Sequence, residues 1–154
     1  MNDMTTTRPP APTPADDGGP RPGDTGAIAA VLAAAYRDDG SIDLAALLSV
    51  LHPDVALHVP GAQPLAGTHQ GLDAIARFAV ALRDLTVDGE HTERVDTLVG
   101  DDHVALVVHV AAERADGRRL DNHTVHLARV DATGLVRDIW FHNRDQAHVD
   151  GFWS

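Results

Sequence analysis

The sequence predicts an α+β fold: about three helices first, then a curved antiparallel sheet wrapped around them. Two observations carry this. Apolar residues recur at helical spacing up to about residue 85 and at every second position after residue 88. The second half is also punctuated by turn signals, namely Asp88-Gly89, Gly100-Asp101-Asp102, Asp116-Gly117 and Asp131-Ala132-Thr133-Gly134. Helices followed by a meander of strands indicate a sheet with helices packed on one face.

The elements follow in order. Residues 1–24 are Pro, Thr, Gly and Asp with little to bury, and are expected to form a disordered tail. The folded domain is expected over 25–154. Ile28, Val31, Leu32, Ala35 and Tyr36 mark a first helix, with Asp24 or Thr25 as its cap and Asp38-Asp39-Gly40 as its end. Leu44, Leu47, Leu48 and Leu51 mark a second, stopped at His52-Pro53 because the residue before proline leaves the α region. Val55, Leu57 and Val59 alternate as in a strand over 54–59. Pro60, Gly61, Pro64 and Gly67 form a loop. Ile75, Phe78, Ala79 and Leu82 face inward from a third helix over 72–85. Strands are then expected over 90–99, 104–113, 119–130 and 135–143.

Composition excludes several chemistries. The 154 residues suit one domain, and 44% of them are hydrophobic, enough for an ordinary core. The chain has no cysteine and no lysine, so disulfides, thiolate catalysis, Cys-type metal sites and a lysine Schiff base are excluded. A net charge of -11 repels phosphate backbones and anionic membranes, so neither nucleic acid nor a membrane is an expected partner. A cytoplasmic protein without a cofactor is the expectation. What remains for chemistry is ten histidines, the carboxylates, the arginines and one tyrosine, Tyr36.

Two segments carry a resemblance. LHPDVALHVPGAQPLAGTHQG over 51–71 resembles the helix–strand–loop of the nuclear transport factor 2-like superfamily. VDATGLVRDIWFHNRDQ over 130–146 resembles its last hairpin. The most similar branches are the ketosteroid isomerase-like and SnoaL-like polyketide cyclase proteins. The resemblance implies a cone with an apolar cavity between sheet and helices. It also implies a homodimer formed through the convex side of the sheet.

Carrying the family's residues over gives a specific pattern. Ketosteroid isomerase works with an Asp base, a Tyr donor and a protonated Asp donor. By resemblance its base position falls at Val59, and its protonated-Asp position falls near His126. For the limonene-epoxide-hydrolase-like set, His109 lies near the Arg position, Ala111 near one Asp and His142 at the other. By this resemblance imidazoles stand at two of the acidic positions, His126 and His142, and a third, His109, stands near the arginine position, all on neighbouring strands. Imidazole can give or take a proton near neutrality.

The candidate catalytic residues are therefore His126, His142 and His109. Tyr36, His58, Val59, Trp140 and Asn122 are candidates for substrate binding, although the alternation of Leu57 and Val59 turns His58 toward the other face. No metal site is expected, because the histidines of HTVH over 123–126 point to opposite faces of a strand. The expected function is a SnoaL-like cyclase or isomerase acting on a small apolar or polyketide-like substrate by histidine acid–base chemistry. The alternatives are an epoxide hydrolase or dehydratase with histidine-activated water, and a non-catalytic ligand-binding homodimer.

Overall fold

The computed structural model describes residues 24–154, so the expectation for the tail lies, except for Asp24, outside the described residues. The elements are α1 (Thr25–Ala35), α2 (Leu44–Ser49), β1 (Leu51–Val59), β2 (Gly67–Gln70), α3 (Leu72–Asp84), β3 (His91–Val99), β4 (His103–Glu113), β5 (Arg119–Val130), β6 (Val136–Asn143) and α4 (Gln146–Trp153). The strands form one six-stranded, curved and unclosed sheet in the order β2-β1-β6-β5-β4-β3. Pairing is antiparallel except between β1 and β6, which run parallel.

Local chemistry explains the helix starts. Asp24, Asp43 and Asp145 each cap a helix by accepting from a backbone N–H three residues on, at 3.1, 3.0 and 3.0 Å. The third helix has no side-chain cap. Its N-cap is Gly71, at φ 87°, where a side chain would be strained.

The structure differs from the sequence-based expectation in three places. The second helix ends at Ser49, and Leu51 already belongs to β1. Pro53 sits inside that strand rather than stopping a helix. This is tolerated because the β1–β6 ladder shifts register between Leu51 and Ala56, so no ladder bond is demanded of Pro53. Two elements come in addition: the four-residue edge strand β2, and α4, whose Val149, Phe152 and Trp153 are buried. Helix α4 is only eight residues long, too short to hold by itself, and the packing of its buried Val149, Phe152 and Trp153 holds it.

Burial identifies the two faces of the sheet. Val104, Leu106, Val108 and Val110 of β4 are all buried, and Leu120, Asn122, Thr124, Ala128 and Val130 of β5 match them. Helices α1, α3 and α4 pack on the sheet. They cover this concave face, joined by Leu32, Ile75 and Phe78 in one continuous core. The convex face holds the intervening residues, which remain partly or fully exposed.

Candidate functional site

A cavity of about 150 Å³ remains between the sheet and the helices. Its walls are mostly apolar: Leu32 and Tyr36 of α1, Ile75, Phe78 and Leu82 of α3, Leu57 and Val59 of β1, and Phe141 of β6. Polar groups enter from few places. Strand β5 contributes Asn122, Thr124 and His126, which alternate onto the concave face as a strand requires. Glu90 and Thr92 enter from the start of β3, and Asn143 from the end of β6.

The polar centre is a pair. The Tyr36 hydroxyl lies 2.7 Å from His126 Nδ1. The His126 ring stacks on Phe141 with centroids 4.0 Å apart. Burial pushes the imidazole down to about 3, so it is neutral at physiological pH. Burial first, and the charge of Glu90 second, push the Tyr36 phenol above its ordinary value. The neutral pair owns two protons, one on the phenol and one on the ring. One proton makes the internal hydrogen bond. The other is left to donate to a ligand, from Nε2 or from the phenol according to tautomer.

Glu90 is the third ionisable group. Its carboxyl makes no hydrogen bond to the described residues and lines the same cavity. Burial pushes it up to about 7. Both Glu90 and His126 keep some accessible surface although bulk water is largely stripped from them. That surface opens on the cavity. A separate polar run closes the far end: Asn122 Nδ2 donates to Asn143 Oδ1 at 2.9 Å, and Asn143 Nδ2 donates to Gln146 Oε1 at 3.0 Å.

Of the residues singled out from sequence, Tyr36, Val59, Asn122 and His126 line the cavity. Four do not. His109 lies on the opposite face of β4 and bonds Asp121 at 2.9 Å. His142 is exposed on the convex face of β6, because Phe141 and Asn143 take the inward positions. The three imidazoles therefore do not converge. His58 and Trp140 also lie on the convex face, stacked with centroids 5.2 Å apart, and His58 Nε2 lies 3.1 Å from Asp138. The expectation that His126 would titrate near neutrality is also corrected, since desolvation removes its charged form there.

Sequence reasoning misses Glu90. A signal exists: it stands two residues before Thr92 and so shares its face. However, β3 carries no apolar stripe to say which face turns inward. Among the described residues, no group of three or more His, Asp or Glu could hold a metal ion. Nor is any described helix long and apolar enough to cross a membrane.

A curved, unclosed sheet closed over by helices around an apolar cavity defines the nuclear transport factor 2-like, or cystatin-like, class. Within it, residues 32–139 match the family model of the SnoaL-like domain, and the chain belongs to that family. A comparison with curated proteins finds no match. Among solved structures, a Xanthomonas campestris protein of unknown function with a cystatin-like fold is 26% identical, with a TM-score of 0.72 over 84% of this chain and 98% of that one. TerC, co-crystallised with polyporic acid, is 20% identical, with a TM-score of 0.66 over 83% and 98%. A Mycobacterium tuberculosis protein in complex with estradiol-17β-hemisuccinate is 17% identical, with a TM-score of 0.59 over 80% and 94%. The last two share the fold with this chain.

Proposed function

We propose that this protein is a small-molecule enzyme of the cyclase or isomerase kind, acting on an apolar, polyketide-like carbonyl compound. The Tyr36–His126 pair holds the substrate oxygen. One observation carries the reading: a neutral, hydrogen-bonded pair with one spare donor sits in a mostly apolar cavity. A donor preorganised in a site of low dielectric stabilises negative charge developing on an oxygen far better than water does. The family supports a small-molecule ligand, and two relatives of the same fold carry oxygenated ring compounds. His126 acts as a neutral donor or acceptor, not as an imidazolium acid. A homodimer through the convex face belongs to the same reading. Trp140, Val107, Val125 and Leu127 there stay only partly covered in the single chain, which leaves apolar surface for a second copy.

Trp153 lines the cavity, whereas Trp140 does not, so fluorescence reports occupancy. Titration with hydroxylated quinones, steroids and two-ring ketones is expected to quench Trp153 saturably. His126→Gln and Tyr36→Phe are expected to weaken the binding of oxygen-bearing ligands and to lower turnover. Saturable binding that neither substitution changes would overturn the role of the pair. Absence of binding across the panel would overturn the enzyme reading itself.

A further inference from the structure

The Tyr36–His126 pair can polarise an oxygen but is a poor proton acceptor, because its imidazole is held neutral by desolvation. An enolisation or cyclisation still needs a group to take a proton from carbon. Among the described residues, the cavity holds one further ionisable side chain besides the pair. Glu90 follows the turn at Asp88-Gly89, where Gly89 adopts φ 83°. Two residues before the fully buried Thr92, it shares that residue's inward face. The segment is anchored, not loose. Thr92 N–H donates to the Gly40 carbonyl at 2.8 Å, and the Gly40 loop is closed by the bridge between Tyr36 and Ile42. The same turn therefore fixes Glu90 and Tyr36 relative to one another. They are close enough for the charge of one to be felt by the other, yet no hydrogen bond joins them. Both side chains line the cavity that a ligand would occupy.

We propose that Glu90 is the proton-transferring catalytic residue of this cavity, its carboxylate taking the α-proton of a carbonyl compound whose oxygen is held by Tyr36 and His126. The proposal rests on the reading of the cavity given above. The α-C–H bond breaks and an O–H bond forms on Glu90. The C–H electron pair becomes the C=C bond of the enolate, and the carbonyl π pair moves to the oxygen held by the donor. Glu90 then returns the proton to a conjugated carbon, which completes an isomerisation, while return to the same carbon gives hydrogen exchange only. Alternatively the enolate carbon attacks a second carbonyl of the same molecule, and Glu90 protonates the new alkoxide, which completes a cyclisation. No oxidant or reductant enters either sequence.

The electrostatics suit this division of labour. Burial brings Glu90 to about 7, where an acid–base group is half ionised and works in both directions. Among the described residues, the other ionisable groups lining the cavity are Tyr36, at the end of α1, and His126 from β5. Both are shifted away from neutrality, so neither changes charge there. On β3, which begins directly after Glu90, His91 and Glu93 do not line the cavity. A titration of activity near neutrality therefore belongs to Glu90.

The test is exchange of α-hydrogen for deuterium in 2-tetralone, a two-ring enolisable ketone, followed by proton NMR in deuterated buffer. The wild-type protein is expected to accelerate exchange over buffer, with a rate that rises through a pKa near 7. Glu90→Gln, which keeps size and polarity, is expected to lose about 10²–10⁴-fold in rate while still quenching Trp153 on binding. Glu90→Asp, which keeps the carboxyl but shortens its reach, is expected to retain part of the rate. Glu93→Gln, on the opposite face of the strand, is expected to behave as wild type. Exchange that survives in Glu90→Gln overturns the proposal, and so does wild-type protein that binds the ketone but exchanges it no faster than buffer. In both cases binding leaves the cavity reading standing. Wild-type protein whose Trp153 emission does not respond to the ketone overturns the proposal together with the reading on which it rests.

Discussion

Replacing Glu90 by Gln is expected to stabilise the protein at alkaline pH relative to acid pH. In the unfolded chain a glutamate titrates near its ordinary value of 4.5, whereas burial raises the folded-state value to about 7. The folded state thus holds a proton that the unfolded state has released across this interval. The contribution of the carboxyl is fully present below about pH 4.5 and is lost as pH rises through about 7. A shift of that size corresponds to about 3 kcal/mol. Glutamine has the same shape and does not titrate. The stability of Glu90→Gln minus that of wild type should therefore grow by about 3 kcal/mol between acid and mildly alkaline buffer. His126 works in the opposite sense, losing stability as pH falls below its ordinary 6.5 toward about 3, and it is present in both proteins, so it cancels in the difference. Urea unfolding at a series of pH values and one fixed protein concentration measures the quantity. A difference that stays flat with pH would show that the Glu90 carboxyl reaches bulk water, and would refute the reasoning.

Further outcomes follow from the packing. Leu32, 2% exposed, also lines the cavity, so Leu32→Ala should cost about 3 kcal/mol by denaturant unfolding and admit bulkier ligands. Gly40→Ala should cost more than about 1 kcal/mol, since φ is 83° there and an added Cβ would lie 1.9 Å from His91 Nδ1. On the convex face, Asp138 accepts from His58 and Arg129, bonds that hold its carboxyl low although burial alone would raise it. Asp138→Asn should cost about 1–3 kcal/mol without altering the response of Trp153 to ligand. Light scattering should give twice the 16.3 kDa of the chain; a monomer at micromolar concentration would contradict the proposed dimer.

The element order and the two periodicities are legible in the sequence because they follow from short-range rules. The stripe Ile75, Phe78 and Leu82 makes a helix facing a core wherever it lies, and the β4 alternation Val104, Leu106, Val108, Val110 makes a strand with one apolar face. Edge strand β2 is not legible, since Gly67–Gln70 has neither alternation nor bulk and exists by pairing with β1. Helix α4 is hidden because it is short: Val149, Phe152 and Trp153 stand at helical spacing over only eight residues, and the helix gains by packing where Val149 and Trp153 close the end of the cavity.

The site divides along the same line. From sequence alone come the absence of cysteine and lysine, the supply of histidines, and the placing of His126, Tyr36, Val59 and Asn122 as candidates. Tertiary structure alone decided which faces turn inward. A strand has two, and one residue of register exchanges them. On β6 the choice went to Phe141 and Asn143 and left His142 and Trp140 outside; on β4 it went to the valines and left His109 outside. Proton affinity was decided there as well. The same glutamate and histidine would titrate at their ordinary values in water, and it is the cavity, by withdrawing solvent, that holds His126 neutral and brings Glu90 to the edge of ionisation.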